Sequence, residues 1–290
     1  MYKSQTLDHI RQKIDTIDNT IHDLLMERAA LASSIAAEKR KRGMPVVHPA
    51  REARMIRRLL ARHHGALPKQ AVTRIWRELV SAVSMLQSGL TARFYSYQGR
   101  SDDLKIVTDY FGSILPVQRG NSIAEVINAV RHNETDFAII PSAPTAPDEQ
   151  SWLPPLLDAL DKDGTPQDMM PISIVQSMPF ICDVAEEGIA ENRYLIIART
   201  YFDTSEDDYS FVALRTDNPC DDAHIGDVLK QAGLNIVDAT RMEENGFYYR
   251  LYCVDGFVDR NAASVSKLQD LLGDGHSVYA IGGYPKPIYV

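Results

Sequence analysis

Residues 7–42 read LDHIRQKIDTIDNTIHDLLMERAALASSIAAEKRKR. Apolar side chains fall at Leu7, Ile10, Ile14, Ile17, Ile21 and Leu24, and resume at Leu31 and Ile35. Alternating steps of three and four mark the seam of one long helix that packs against other helices. The slot after Leu24 holds Arg28, and Lys39 follows eleven residues later. Eleven residues make close to three turns, so both cations project from one side, about 16 Å apart along the axis. Two long cationic side chains at that spacing suit a small dianion held between them. At this point the alternative stands that Arg28 snorkels from the seam and Lys39 is simply solvated.

Downstream, Gly43-Met44-Pro45 breaks the pattern, and Pro49 sits where the first turn of a second helix starts, PAREARMIRRLLARHH to about His64. After Gly65 to Pro68 comes a third helix, KQAVTRIWRELVSAVSMLQSGL, with Val72, Ile75, Trp76, Leu79, Val80, Val83 and Leu86 on its apolar face. Residues 1–90 are therefore long helix, short helix, long helix, without a strand. A first helix of about 50 Å or more exceeds what two such partners cover, so its leftover seam predicts a homodimer. Arg11 precedes Arg28 by 17 residues, about 25 Å on one helix. Antiparallel pairing with a second chain carries it toward the Arg28–Lys39 region of the other copy, beside Arg51 and Glu52 of the second helix and Gln87 of the third.

Composition narrows the function classes. Residues 1–90 hold sixteen Lys/Arg against eight Asp/Glu, while the rest holds fifteen against thirty-one. The basic segment lies partly on an apolar seam and has no interleaved aromatics, which argues against nucleic acid and for an anionic small molecule. No apolar run reaches about 18 residues and the N-terminus goes directly into a charged helix, so neither membrane nor export is expected. Cys182, Cys220 and Cys253 match no metal spacing and read as buried thiols in a reducing cytoplasm.

The N-terminal residues resemble a known family, the all-helical chorismate mutases, and in particular the domain that opens bifunctional chorismate mutase–prephenate dehydratase proteins. The resemblance covers residues 7–90 and rests on IRQKID, LLMERAALA, AAEKR, PVVHPARE and SAVSMLQ, in order and at the family's spacing. It implies that Arg11 of the partner chain and Arg28 bind the two carboxylates of chorismate. By the same resemblance, Lys39 and Gln87 donate to the ether oxygen, Glu52 meets the ring hydroxyl and Arg51 supports the site. Such residue types suit the chemistry. The rearrangement to prephenate is pericyclic and needs no nucleophile, metal or cofactor, only a held conformer and stabilised charge on the breaking C–O bond. Arginine forks suit carboxylates. Two positions depart from the family. His48 stands where an Asp is usual, which makes activity lower or pH-sensitive. A serine usual near one carboxylate aligns with Val83, with Ser84 one step round the helix.

The middle, about 91–205, alternates helix and strand. SIAEVINAVRHNETDFAIIPSAP resembles a stretch of a prephenate dehydratase lobe, but the Gly-rich opening is replaced by RFYSYQGR, and the catalytic Thr-Arg-Phe aligns at best with Asn192-Arg193-Tyr194. This region is read as a truncated, degenerate α/β dehydratase segment, with SAPTAPDEQSWLPPL as a proline-rich loop or linker. Residues 206–290 read βαββαβ, a ferredoxin-like α+β layer, with Asn245-Gly246 as a hairpin turn. That part resembles the ACT regulatory domain of the same proteins. The resemblance places an aromatic amino-acid effector near Asn235, Thr240 and Arg241. The expectation is a cytoplasmic, cofactor-free, dimeric chorismate mutase of three segments, 1–90, 91–205 and 206–290. Its rivals are a true bifunctional mutase–dehydratase, an isochorismate pyruvate lyase and a non-catalytic aromatic amino-acid sensor.

Overall fold

A computed structural model describes residues 2–42, 48–97, 103–144, 146, 149–163, 170–182, 194–219 and 221–289. By contact the chain divides into two units, Met1–Val47 with Ala82–Gly89, and His48–Ser81 with Leu90–Val290.

The first unit is built on α1 (Tyr2–Lys41), one unbroken 40-residue helix, together with the last turns of α3 (Lys69–Ser88). From Leu7 through Leu24 the seam residues of α1 are exposed, between 49% and 58%. Further along, Arg28, Ala32 and Lys39 are half-buried and Ala36 is fully buried, while the seam residues Leu31 and Ile35 stay exposed at 60% and 44%. Val83 is buried on the α3 end.

The second unit begins with α2 (Pro49–Ala61), which has Pro at its first turn and Glu52 near the positive end of the helix dipole. Ala50, Ala53, Ile56 and Leu60, at helical spacing, form its buried stripe. The first part of α3 follows. Then come β1 (Ala92–Phe94), α4 (Asp103–Phe111), β2 (Val117–Arg119), α5 (Ile123–Arg131), β3 (Phe137–Pro141), α6 (Leu153–Lys162), β4 (Ile172–Met178), β5 (Ile181–Cys182) and β6 (Tyr194–Arg199). Strand β1 lies between β2 and β3 and runs parallel to both, while β6 runs antiparallel between β3 and β4. All five residues of β3 are buried, as its continuous apolar run predicts.

One local expectation fails. The proline-rich stretch does not stay a loop: WLPPL opens α6, with Trp152, Leu153, Leu156 and Leu157 in the core. Both prolines lie in the first turn, where a missing N–H costs nothing, and the Trp152 indole donates to the Ser142 carbonyl at 2.6 Å.

The C-terminal part has the element order read from its sequence: β7 (Asp208–Thr216), α7 (Asp222–Gln231), β8 (Ile236–Glu244), β9 (Phe247–Asp255), α8 (Ala263–Leu272) and β10 (Ser277–Pro285), followed by a short β11 (Ile288–Tyr289). Asn245 and Gly246 both take positive φ, 53° and 80°, giving the tight β8–β9 hairpin. The strands order as β10-β7-β9-β8, and α7 and α8 pack on one face. The other face, through Phe211, Tyr249 and Tyr284, shares a core with α6. The two sheets join edge to edge where β10 meets β4, at Gly282 and Ile174, into one nine-stranded mixed sheet. Gly282 has φ +102°, and a Cβ there would run into the Ile174 backbone. Among the described residues no helix is long and apolar enough to cross a membrane.

Candidate functional site

The nominated residues fall in both units. In the first unit Arg28 and Lys39 lie in the C-terminal part of α1, each half-buried. Val83 is buried and Ser84 half-buried on α3. Gln87 lies in the last turn of α3, and its side chain is outside the described residues. Arg11 sits on the uncovered part of α1. Its side chain is 67% exposed and lies 3.6 Å from the Asp8 carboxylate one turn back. At about 25 Å along the axis from Arg28, Arg11 is not brought to the other cations within one chain.

In the second unit His48 caps α2, accepting the Glu52 N–H with its carbonyl at 3.1 Å. Arg51 is exposed. Glu52 is not on an open surface. Its Oε2 accepts from Arg77 Nη1 at 2.9 Å, with the two side chains only 18% and 6% exposed. Arg77 in turn donates from Nε to the Tyr110 carbonyl at 3.1 Å, and its guanidinium lies 3.5 Å from the centre of the Tyr110 ring. Burial pushes the Tyr110 phenol up to about 12, against the lowering influence of Arg77. Glu52 is therefore a positioned carboxylate, an acceptor only while ionised. Arg77 was not nominated from the sequence. It lies 25 residues from Glu52 and looks, beside Trp76, like the polar flank of an apolar helix.

Two more arginines missed by the sequence reading hold the same helix. Arg57 of α2 donates to the Ser205 carbonyl and hydroxyl, the Asp207 carbonyl and the Lys286 carbonyl, at 2.9–3.1 Å. Arg54 donates to the Thr204 carbonyl at 3.1 Å. On α3, Glu78 accepts from the backbone and hydroxyl of Ser113, the hydroxyl at 2.7 Å. The helix bearing Arg51 and Glu52 is thus set by polar contacts to the ends of the large sheet, and α3 is tied to the α4–β2 loop.

The proposed effector residues lie on the outer strand of the C-terminal layer and just before it. Asn235 and Thr240 are exposed, and the Asn235 carbonyl accepts from the Asp255 N–H at 2.9 Å. Arg241 pairs with Asp222, which also accepts from Arg250 Nε at 2.7 Å. The Arg250 hydrogen bond, followed by the charges of Arg250 and Arg241, lowers the Asp222 carboxyl below its ordinary value. Of the aligned dehydratase positions, Asn192 and Arg193 lie outside the described residues and Tyr194 is fully buried. Cys182 is half-buried and Cys253 buried, burial pushing the Cys253 thiol up to about 11. Cys220 lies outside the described residues.

Residues 10–88 match the family described as chorismate mutase type II. The bifunctional chorismate mutase/prephenate dehydratase of Neisseria gonorrhoeae is 31% identical over 48% of this chain and 38% of its own length. A chorismate mutase of Methanocaldococcus jannaschii is 41% identical over 21% of this chain and 64% of its own. The chain thus spans about two fifths of the length of the bifunctional relatives it matches. Among solved structures, one described as a quorum-quenching acylase, GqqA, is similar over 67% of this chain and 94% of its own, at 18% identity and a TM-score of 0.44. The prephenate dehydratase of Streptococcus mutans is similar over 69% and 100%, at 16% identity and a TM-score of 0.41.

Proposed function

We propose that this chain is a chorismate mutase, a cytoplasmic homodimer needing no cofactor. In this reading residues 1–90 carry the reaction, 91–205 are a dehydratase-like scaffold without dehydratase activity, and 206–290 are a ferredoxin-like ACT layer. The observation that carries it is the pair Arg28 and Lys39, half-buried on one stripe of α1 inside the stretch that matches the mutase family.

Chorismate presents two carboxylates and a breaking ether bond. Arg28, with Arg11 from the second copy, takes the carboxylates and holds the ring and side chain in the reactive conformer. Lys39 and Gln87 donate to the ether oxygen as negative charge gathers there, and this differential stabilisation lowers the barrier. Glu52, held by Arg77, accepts from the ring hydroxyl, and His48, Arg51, Val83 and Ser84 are assigned to substrate binding. No proton has to move between protein and substrate. The exposed seam from Leu7 to Leu24 supports the paired state in which Arg11 reaches a site of the other chain. An aromatic amino acid bound near Asn235, Thr240 and Arg241 serves as the effector.

The test follows chorismate absorbance with purified protein. Wild type consumes chorismate, and Arg28→Ala and Lys39→Ala each lose at least about 10²-fold in turnover, as expected for removing a charge-stabilising donor. An inert wild type that still binds an aromatic amino acid would replace this reading with the sensor. The names of the curated relatives favour a second reading, the bifunctional mutase–dehydratase. Phenylpyruvate formed from prephenate by the pure protein would establish it.

A further inference from the structure

A cavity of about 210 Å³ opens in the second unit between the first turns of α3, the helix α4 and the residues that follow β4. Its walls divide into two kinds. Ile106, Pro179, Phe180 and Ile181 line one part, with Phe180 only 4% exposed. Arg74, Arg77 and the carboxylate of Asp109 line the other, with Gln70, Thr73 and Tyr110. Such a mixture, an apolar body with a few fixed polar groups at one end, is that of a small-molecule site.

The charged end is built. Arg77 is a buried guanidinium fixed at two of its three nitrogens, Nη1 on Glu52 and Nε on the Tyr110 carbonyl. Its Nη2 donates to no group among the described residues. Among the described residues, Arg74, 67% exposed, meets only Asp109, at 3.6 Å, longer than a hydrogen bond, so its fork is available to a better acceptor. Glu52 is already engaged by Arg77, and Asp109, which also lines the cavity, stands 3.6 Å from Arg74, so an incoming anion competes with Asp109 alone for the Arg74 fork. A single remaining fixed donor edge, reinforced by one movable fork, matches one carboxylate rather than a phosphate cluster. The volume leaves room for one ring.

We propose that this cavity binds a small monocarboxylate with a compact apolar body, its carboxylate on Arg77 and Arg74 and its body against Ile106, Phe180 and Ile181. The site does not rest on the mutase reading, and its measurement uses no chorismate.

Isothermal titration of the full chain with benzoate tests it, with benzamide as the neutral isostere. Benzoate binds with one site per chain, and benzamide binds at least about tenfold more weakly, the loss expected for a charge-assisted contact. Arg74→Ala, on an exposed side chain that leaves folding intact, weakens benzoate to a similar degree. Ile106→Trp, which fills the apolar part, abolishes the heat while circular dichroism stays native. The proposal is overturned if wild type shows no binding at millimolar benzoate, if benzamide binds equally, or if a natively folded Ile106→Trp variant binds benzoate as wild type does.

Discussion

Arg77 shows how much of a site hangs on a residue that does not announce itself. Glu52 was identifiable from its place behind PVVHPA, but the guanidinium that fixes it lies on another helix, and the rotation of the two helices decides whether they meet. Nothing in local spacing encodes that rotation. Arg77→Met removes one half of a largely buried ion pair and is expected to destabilise the protein by roughly 3 kcal/mol in urea unfolding. A second residue-scale prediction concerns acid. The Asp222 carboxyl is lowered in the folded chain, chiefly by the Arg250 hydrogen bond. The unfolded chain therefore binds the proton first. The stabilisation is complete above the ordinary value of 3.8 and is lost as pH falls through the folded value. Asp222→Asn should flatten the acid limb of the stability curve below that pH and leave neutral stability less steeply tied to salt. This pair too was invisible in the sequence, because Asp222 opens a helix and Arg250 sits on a strand far along the chain.

At the scale of elements, periodicity was a good guide where one face meets one environment. It read α1, α2 and α3 to within a few residues, and every element of the C-terminal βαββαβ unit, whose strands alternate or run apolar between clear turn residues. It failed on α6, where two prolines looked like a linker and in fact sit at the one part of a helix that tolerates them. The α5 start shows the opposite case. Ser122 accepts from the Glu125 N–H while Glu125 reaches back to the Asn121 N–H and side-chain amide, a cap written plainly in NSIAE. Ser122→Ala should cost about 1 kcal/mol by thermal or urea unfolding. For α1, the uncovered seam makes a direct prediction. Ile14→Glu with Ile21→Glu places charge in the middle of the expected dimer contact, and sedimentation should shift from dimer toward monomer, with turnover falling alongside it as Arg11 is withdrawn. If the double variant sediments as wild type, the seam is not the contact.

At the scale of the whole molecule, the least legible feature is the joining of two sheets. The stretch IGGYP reads as an ordinary final strand, yet Gly282 turns through a left-handed φ so that its backbone can approach Ile174, and Gly283 leaves a Cβ no room against the Tyr209 carbonyl. Only the assembled sheet shows why a side chain is missing at both places. Gly282→Ala is expected to lower stability by about 2 kcal/mol or more, since both the φ and the close approach oppose a methyl group, and a melt followed by fluorescence and by circular dichroism would register it.

The contacts of Arg54, Arg57 and Glu78 carry a practical lesson for anyone cutting or swapping this gene. A fragment ending at residue 90 keeps every side chain nominated for chorismate but strands α2 and much of α3 without the carbonyls and loop that anchor them. Severed there, the nominated residues would be present in letters and unmoored in space, and grafts that carry the distant strand ends along with the helices should hold their fold better than those that stop at residue 90.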